Sequence, residues 1–244
     1  NNMNRLVFII PFYNVSSFIK ECADSLINQT YKNWIAIFVD DCSTDGTINN
    51  IPADDRFKII KNTERVTALP NIHNAIVNSS LNDEDIICLL DGDDKLSSNY
   101  ACQIVDDFYK RYNPLLSYGQ YVTSNNQMGH CIPYTQQTFT QLRTGGYWAS
   151  HLRTFKYKLY KEIMNQDPNL SCYKDANGNF YKMTYDVCIM LPLMEMAGLN
   201  NIYFNNIPIY FYRLHSNNDH AINMQLQYGI ANEVYAKKKF NQVF

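Results

Sequence analysis

The sequence predicts an α/β fold with a mixed, mainly parallel central sheet, in which a Rossmann-like half comes first and a less regular half follows. Over the first 95 residues, short apolar runs alternate with segments of helical periodicity, which is the pattern of βαβ units. The run Ile86–Leu90 has no polar break and predicts a strand that is buried on both faces. The acidic segment Asp91–Asp94 follows it directly. Open α/β sheets bind ligands beyond the carboxyl ends of their strands, so this segment marks a candidate site.

The first βαβ unit is predicted near the start of the chain. Its first strand, Arg5–Ile10, is followed by Pro11, which we expect to end it because proline donates no hydrogen bond to a ladder. Ser16 or Ser17 is expected to cap the next helix, whose apolar residues form one stripe. The second strand is predicted over Trp34–Val39. Because a helix connects them, the two strands are expected to run parallel.

The rest of the chain shows no internal repeat, low-complexity tract or clear linker, so we predict one domain over residues 1–244. Its first half is expected to cover residues 1–95, its second half residues 96–220 and a C-terminal helix residues 221–244. Pro192 is expected to bend its helix or to limit the first turn. The remaining predicted elements are strands at Phe57–Ile60, Leu115–Val122 and Ile207–Tyr212 and helices at Ala68–Ser79, Ser98–Tyr112 and Tyr185–Met196.

The charge balance argues against a general polyanion binder. The formal net charge is -2 at pH 7, and Lys and Arg are scattered along the chain. Lys237–Lys239 is the exception, and we interpret this run as a solvated helix face. Nucleic acid is therefore not an expected partner.

Cysteine usage and hydropathy indicate a reducing compartment. Seven cysteines form no CxxC pair, and several lie inside apolar runs, so we expect reduced and mostly buried thiols. The five histidines lack ligand spacing with them, which argues against a zinc site. The sequence shows no signal peptide and no apolar run long enough to span a bilayer. We therefore predict a cytoplasmic protein without a transmembrane segment.

Glycine-rich phosphate-binding motifs, G-x-G-x-x-G and G-x-x-x-x-G-K-[ST], are absent from the sequence. If a nucleotide binds, another group must neutralise its phosphates. A divalent cation held by Asp91–Asp94 would supply that charge, because hard cations bridge carboxylate and phosphate oxygens. The alternatives for this acidic cluster are a solvated turn and a helix N-cap.

Several short motifs resemble those of the family 2 glycosyltransferases. They are PFYN at Pro11–Asn14, VDDCSTDGT at Val39–Thr47, LLDGDD at Leu89–Asp94, Tyr185-Asp186 at a late helix and YRLH at Tyr212–His215. The resemblance implies a GT-A fold and an inverting, metal-dependent enzyme that uses a nucleotide sugar, with Mn²⁺ or Mg²⁺ as the metal. The resemblance is strong over residues 1–95, which it identifies as the nucleotide-binding half. It is patchy over residues 96–220, which it identifies as the acceptor-binding half.

The loops after the first two strands correspond to the family's nucleotide pocket. By this resemblance, Pro11, Tyr13 and Asn14 line the pocket, with a plain turn as the alternative. Asp41 corresponds to an aspartate that accepts a hydrogen bond from uracil N3–H, which suits an acceptor-only carboxylate. A turn-stabilising role is its alternative. Arg65 stands where the family often has an arginine near the uracil and phosphates, and a surface arginine is the alternative reading.

The acidic segment corresponds to the family's metal and diphosphate site. By resemblance, Asp91 faces the ribose or the water shell of the metal, Gly92 lies in the same nucleotide-binding stretch, and Asp93 binds the metal. Asp94 has two interpretations, a metal or nucleotide contact and a cap for the following helix. His215 corresponds to a histidine that completes the metal or diphosphate site in some members, and a structural histidine is the alternative.

Asp186 corresponds to the family's catalytic aspartate, the general base. Its usual acidic neighbour is replaced by Tyr185. The alternative is a helix N-terminal aspartate that the macrodipole stabilises. His151 and Arg153 are candidates for contacts to the diphosphate or the acceptor, although the aromatic residues around them are equally consistent with core packing.

The predicted function is transfer of one sugar from a nucleotide sugar, foremost a UDP-sugar, to a hydroxyl of a glycan or other acceptor. The Q-x-x-R-W signature of processive members is absent, which favours single transfer. A non-catalytic glycan- or nucleotide-binding module with the same fold is the main alternative, and the 14% aromatic content suits sugar stacking there. A nucleotidyltransferase or a haloacid-dehalogenase-type phosphatase fits less well, because their loop patterns are missing. Three roles are open for the final helix: packing on its own domain, pairing with a second subunit in a homodimer, and leading into a further domain.

Overall fold

A computed structural model describes residues 3–216 and 223–244. Its centre is an eight-stranded sheet. The strands are β1 (Leu6–Phe12), β2 (Trp34–Asp40), β3 (Phe57–Lys61), β4 (Ile86–Leu89), β5 (Lys95–Leu96), β6 (Leu116–Thr123), β7 (Arg153–Lys156) and β8 (Ile202–Tyr212). The helices are α1 (Ile19–Ile27), α2 (Ala68–Val77), α3 (Ala101–Tyr112), α4 (Gln136–Phe139), α5 (Tyr157–Gln166), α6 (Tyr185–Ala197) and α7 (Met224–Tyr235).

The strand order is β3-β2-β1-β4-β7-β6-β8-β5. The first four of these strands are parallel, as the predicted Rossmann-like half requires. β7 is antiparallel to both of its neighbours, β8 is parallel to β6, and β5 is antiparallel to β8. The predicted mixed, mainly parallel sheet is therefore confirmed. Because β4 of the first predicted half pairs with β7 of the second, one sheet runs through both halves.

The two faces of the sheet carry separate clusters of buried side chains. Alternate residues of β1 point to opposite faces, with Val7 and Ile9 in one cluster and Leu6 and Phe8 in the other. Helices α1 and α3 cover the face of Leu6, whereas α2, α5 and α6 cover the face of Val7. Every residue of α6 from the third position onward is buried. A helix with no polar face belongs in the interior, and this one carries Asp186 in its first turn.

Two expectations about the first βαβ unit are wrong. Pro11 does not end β1, which continues to Phe12: Pro11 pairs with Val39 of β2, and its carbonyl accepts from Gly92 N–H (3.2 Å). The cap position of α1 is Phe18, without a side-chain cap, so neither serine has that role. The turn before α1 is closed by backbone instead, since the N–H groups of Phe18 and Ile19 both donate to the carbonyl of Val15 (2.9 Å each).

The later helices also differ from expectation. Pro192 does not limit the first turn of α6, because it lies in the helix interior and removes one ladder donor there. α7 ends at Tyr235, well short of the predicted end at residue 244, and the predicted start at residue 221 lies outside the described residues. Lys237–Lys239 therefore follows α7, and the interpretation of this run as a helix face is wrong.

The cysteines match the expected reduced state. All seven are free, and six of them are buried while Cys42 is partly exposed. Burial raises the pKa of the Cys22 and Cys88 thiols well above the ordinary value, which suppresses their reactivity. Among the residues that the structure describes, no helix combines the length and the apolar character that crossing a membrane requires.

Candidate active site

Three loops meet at the carboxyl edge of the parallel strands. The N–H of Asp41, directly after β2, donates to the carbonyl of Phe12 (3.0 Å), and the N–H of Gly92 donates to that of Pro11. The loops after β1, β2 and β4 therefore start side by side. Gly92 is required here, because a Cβ at this position would lie 2.5 Å from the Cβ of Phe12. This edge is where an open α/β sheet binds its ligand.

The loop after β1 is fastened to the loop after β2 by Asn14. Its Oδ1 accepts from the N–H of Thr44 (2.8 Å), and its own N–H donates to Ser43 Oγ (2.9 Å). The Asn14 backbone is left-handed (φ 50°), a conformation that asparagine tolerates better than most residues. The exposed Asn14 thus fixes the shape of the loop pair that the sequence predicts as a nucleotide pocket.

Asp41 is the centre of a hydrogen-bond network. Its carboxylate, 3% exposed, accepts from the N–H groups of Val66 (2.8 Å) and Thr67 (3.0 Å) and from Arg65 Nε (3.2 Å). Burial opposes ionisation, but the hydrogen bonds from Val66 and its neighbours outweigh it and hold the pKa of Asp41 below its ordinary value. The Arg65 guanidinium also covers the Tyr13 ring, with Cζ 3.5 Å from its centroid. The structure therefore joins Tyr13, Asp41 and Arg65, and Asp41 makes the turn-stabilising contacts of its alternative role.

Tyrosine hydroxyls hold the acidic loop after β4. Tyr185 Oη donates to Asp91 Oδ1. Tyr210 Oη donates to Asp94 Oδ2 (2.5 Å) and accepts from the N–H of Asp91 (3.2 Å), while Asp94 Oδ1 accepts from the N–H of Arg213 (2.9 Å). Asp94 is 1% exposed and contacts the end of β8, so the interpretation of Asp94 as a cap for α3 is wrong.

The segment after β8 also contacts Asp93. His215 Nε2 lies 2.7 Å from Asp93 Oδ2, and Arg213 Nε donates to the carbonyl of Asp93 (2.9 Å). The His215 ring packs against Phe18, with 4.9 Å between ring centroids. The structure therefore brings together Asp93 and His215, two residues that the sequence assigns to one site from opposite ends of the chain.

Burial and mutual repulsion change the protonation of this cluster. Burial and the charge of Asp93 raise the pKa of Asp91 to about 7, and the same causes raise the pKa of Asp94 well above its ordinary value. His151 is 6% exposed, and burial together with the charge of Arg153 lowers the pKa of its imidazole well below the usual value. A neutral imidazole beside carboxylates is the form that binds metal ions.

The donor atoms of the cluster fit a divalent cation. Asp91, Asp94 and His151 each offer one ligand atom, and these atoms lie within 4.8 Å of one another. Carboxylate oxygens suit Mg²⁺ and Mn²⁺. Within the described ranges, Asp91 and Asp94 accept only from hydroxyl and backbone N–H groups, and Arg153 acts on Asp91 through its charge without a hydrogen bond between them. The sequence predicts Asp91, Asp93 and His215 as ligands, whereas the structure groups Asp91 with Asp94 and His151 and pairs Asp93 with His215.

Asp186 lies in the first turn of α6, next to the acidic loop. Arg153 Nη2 contacts Asp186 Oδ2 (3.2 Å), and Arg153 Nε is held by the carbonyl of Ala149 (2.9 Å). The Asp186 side chain is 27% exposed, whereas that of Arg153 is buried. Because the preceding residue, Tyr185, contacts Asp91, one turn of helix joins the candidate base to the acidic loop.

Three contact residues of this site received no role from the sequence. In the sequence, Tyr185 stands out only because it replaces the acidic residue that usually precedes the family's catalytic aspartate. In the structure, its hydroxyl contacts Asp91. Tyr210 and Arg213 lie in or beside the YRLH motif, and that position is the signal that points to them. Their partners lie more than a hundred residues away, so the pairing itself appears only in the folded chain.

Comparison with known proteins shows which family this chain matches. The model of glycosyl transferase family 2 matches residues 7–171. Among curated proteins, the chain is 28% identical to glycosyltransferase GlyA of Streptococcus pneumoniae over 131 residues, which are 52% of this chain and 18% of GlyA. It is 30% identical to the putative glycosyltransferase EpsE of Bacillus subtilis over 99 residues, 38% of this chain and 34% of EpsE. The chain thus matches about a third or less of the length of these relatives.

Solved structures show the same fold. The structure of S. aureus TarS 1-349 in complex with UDP-GlcNAc has a TM-score of 0.62 at 16% identity, over 90% of this chain and 61% of that one. The mannosyltransferase PcManGT from Pyrobaculum calidifontis, in complex with GDP-Man and Mn²⁺, has a TM-score of 0.58 at 17% identity, over 91% of this chain and 60% of that one. The predicted GT-A fold is therefore confirmed. Since the family model covers more than half of the 244 residues, and the motifs occupy one edge of this fold, the chain belongs to glycosyl transferase family 2.

Proposed function

We propose that the chain is an inverting, metal-dependent transferase, which moves one sugar from a UDP-sugar to a hydroxyl of a glycan or other acceptor. The observation that carries this proposal is the first turn of α6, where Tyr185 contacts Asp91 and Asp186 is the next residue. A candidate base and an acidic site for metal and diphosphate are thereby joined by adjacent residues.

Asp186 is the proposed general base. An acceptor hydroxyl is a poor nucleophile at neutral pH and needs a base within hydrogen-bond reach. Arg153 contacts Asp186 Oδ2, and within the described residues Oδ1 accepts no hydrogen bond, so this oxygen is available for the acceptor proton. Attack on the anomeric carbon from this side, with departure of the diphosphate on the other, inverts the configuration in one displacement. No covalent nucleophile is required.

The leaving diphosphate gathers negative charge, which an electrostatic site must stabilise. Asp91, Asp93 and Asp94, together with His151 or His215, would hold a divalent cation, which when bound neutralises the diphosphate charge. Buried Arg153 forms an ion pair with the candidate base (3.2 Å). Its bond to the carbonyl of Ala149 fixes the guanidinium, so it positions Asp186 before the acceptor arrives.

The choice of a UDP-sugar rests on the loop around Asp41. By family resemblance this carboxylate meets the uracil N3–H, and its neighbours Tyr13 and Arg65 offer a ring and a guanidinium at the same edge. A structural neighbour, TarS, was solved with UDP-GlcNAc, which supports the same donor class. The neighbour solved with GDP-Man and Mn²⁺ supports a metal-dependent reaction, and it is the reason to include GDP-sugars among the donors that are tested.

We also propose single transfer in the cytoplasm. The chain lacks the Q-x-x-R-W signature that resemblance associates with processive members. Its seven cysteines are all free in the structure, which is the expected state in a reducing compartment.

The proposal is tested by release of free nucleoside diphosphate from a panel of UDP-, GDP- and dTDP-sugars, with Mn²⁺ and with chelator. Slow hydrolysis of a donor needs no acceptor, so this assay examines the donor site alone. We expect Mn²⁺-dependent release from one UDP-sugar. The Asp93→Ala variant should weaken metal-dependent nucleotide binding, because it removes a carboxylate from the acidic loop.

The outcomes separate the transferase from the binding module. Release that persists in chelator would contradict the metal dependence, and release only from a GDP-sugar would contradict the assignment of Asp41 to uracil. No release from any donor, together with no metal-dependent nucleotide binding, would favour a non-catalytic module.

A further inference from the structure

A cleft near the C-terminal end of α6 is lined by the one run of lysines in the chain. The cleft has a volume of about 460 Å³. We call it the lysine cleft and define it by its lining residues: Gln166, Asp167, Ser171, Cys172, Lys237, Lys238, Lys239, Phe240 and Asn241. It is distinct from the edge of the sheet that carries the acidic loop, since none of its residues belongs to that site.

A buried ion pair fixes the lysine segment to α6. Arg143 makes two bonds to Glu195, Nε to Oε2 (2.8 Å) and Nη2 to Oε1 (2.6 Å), and its Nη1 donates to the carbonyls of Val234 (3.1 Å) and Lys237 (2.9 Å). Glu195 Oε1 also accepts from the N–H of Phe240 (3.1 Å). A three-residue cationic segment is thus held at both ends, which lowers the ordering cost of binding there.

The charges in the lysine cleft do not cancel. Lys238 and Lys239 are exposed, and within the described residues neither ammonium has an ion-pair or hydrogen-bond partner. The one carboxylate of the cleft, Asp167, is already occupied, because its two oxygens accept from the N–H groups of Ser171 (3.0 Å) and Cys172 (2.8 Å). The cleft therefore offers unpaired cations in a chain whose net charge is -2.

The lysine cleft connects to the loop that carries the candidate base. Lys237 Nζ donates to the carbonyl of Lys174 (2.8 Å), and residues 174–184 lead directly into α6 and Asp186. The cleft thus contacts one end of the loop whose other end leads to Asp186.

We propose that the lysine cleft binds an anionic glycan, the acceptor or a neighbouring part of it, through phosphate or carboxylate groups. This inference rests on the proposed function for the word acceptor. Exposed ammonium groups bind such anions, and the Ser171 hydroxyl and Asn241 amide suit sugar hydroxyls. Nucleic acid fits less well, because the one aromatic side chain of the cleft, Phe240, is 8% exposed and offers no stacking surface for a base.

The test compares two double variants of the same charge change. Lys238→Glu/Lys239→Glu reverses two charges of the lysine cleft. Lys58→Glu/Lys61→Glu reverses the charges of two exposed lysines on β3, an edge strand of the sheet. Each protein is titrated at low salt with a carboxylated oligosaccharide, a phosphorylated oligosaccharide and a neutral oligosaccharide of equal length. Two reversed surface charges are expected to weaken binding of the charged probe about tenfold in the cleft variant and less than about twofold in the control.

Whichever charged probe binds more tightly identifies the anion as carboxylate or phosphate. Equal binding of the neutral probe, equal loss in both double variants, or tighter binding of a single-stranded DNA of the same charge would each overturn the proposal. Donor hydrolysis is measured in parallel and should be unchanged in both variants, which also shows that they are folded. If the unmodified chain hydrolyses no donor while the cleft variant alone loses the charged glycan, the transferase proposal fails and the glycan site stands.

Discussion

At the scale of single residues, tyrosine hydroxyls hold two of the three carboxylates of the acidic loop. Tyr185 contacts Asp91, and Tyr210 contacts both Asp94 and the backbone of Asp91. A hydroxyl donates one hydrogen bond without bringing a positive charge, so the carboxylates of the loop can still bind a cation. This arrangement holds the shape of the site, and a bound cation would offset the burial and repulsion that raise the pKa of Asp91 to about 7.

The base assignment predicts a selective loss on Asp186→Asn. The amide cannot take the acceptor proton, so turnover should fall by about a hundredfold or more, the scale of general base catalysis. Nucleotide affinity should stay within about twofold, because Asp186 contacts Arg153 and not the nucleotide loops. Transfer rates and calorimetric binding of the nucleoside diphosphate measure the two effects. Asp107→Asn, on the exposed face of α3, is the matched control, and normal turnover of Asp186→Asn would remove Asp186 from its role.

Tyr185→Phe tests the link between the base and the acidic loop. Loss of a hydrogen bond to a carboxylate costs about 1.5–3 kcal/mol, so we expect metal-dependent nucleotide binding to weaken about tenfold. Titration of the nucleotide with and without Mn²⁺ measures the change. Tyr100→Phe, at an exposed tyrosine directly before α3, should bind normally. Unchanged affinity in Tyr185→Phe would show that its hydroxyl does not shape the metal site.

At the scale of elements, α6 depends on one buried ion pair at its far end. Arg143→Met leaves Glu195 charged and unpaired at 1% side-chain exposure, which should cost about 3–5 kcal/mol of unfolding free energy. Arg143→Met/Glu195→Met removes both charges and should recover most of that loss. Urea unfolding of the three proteins gives the comparison. Equal stabilities of the single and double variants would mean that burial of Glu195 carries no penalty.

The sequence predicts well those elements whose own composition determines their burial. β1, β2 and β4 are apolar runs, and their positions agree with the structure within about two residues, the usual uncertainty of element ends. β7 was not predicted, because its residues Arg153, Thr154 and Lys156 are polar and yet buried. Their charges and hydroxyls are satisfied by distant partners, such as Glu84 for Lys156, which no local pattern shows.

The candidate site divides in the same way. Asp41, Asp93 and Asp186 stand in recognisable motifs, so the sequence predicts that they lie at this edge of the sheet. The grouping of Asp94 with His151 was not predicted. It depends on the antiparallel pairing of β4 with β7, which brings together two segments that are far apart along the chain.

At the scale of the whole molecule, burial of a histidine between two helices makes the free energy of unfolding depend on pH. His73 on α2 is 8% exposed, and its Nδ1 lies 2.8 Å from Tyr160 Oη on α5. Burial, with a smaller contribution from the charge of Lys174, lowers the pKa of His73 below its ordinary value. The folded chain therefore favours the neutral imidazole, whereas the unfolded chain protonates it at about pH 6.5.

The resulting prediction concerns stability below pH 6.5. The unfolded state binds the proton more readily, so the stabilisation is complete above that pH and is lost as the pH falls toward the lower pKa of the folded state. His73→Gln should flatten the dependence of unfolding free energy on pH between about 5 and 7, and His130→Gln, at an exposed position, should not. Urea unfolding at several pH values measures both slopes. An unchanged slope in His73→Gln would assign the acid sensitivity elsewhere.

The distribution of thiols would let the chain report the proposed nucleotide binding without a label. Of seven cysteines, Cys42 alone is not buried, and it follows Asp41 in the loop assigned to the nucleotide. An alkylating reagent applied to the folded protein should therefore add a single group at Cys42, read by mass spectrometry of the intact chain. A bound nucleoside diphosphate should slow that addition, so an unmodified protein can be screened for its donor without radioactive sugars or an acceptor.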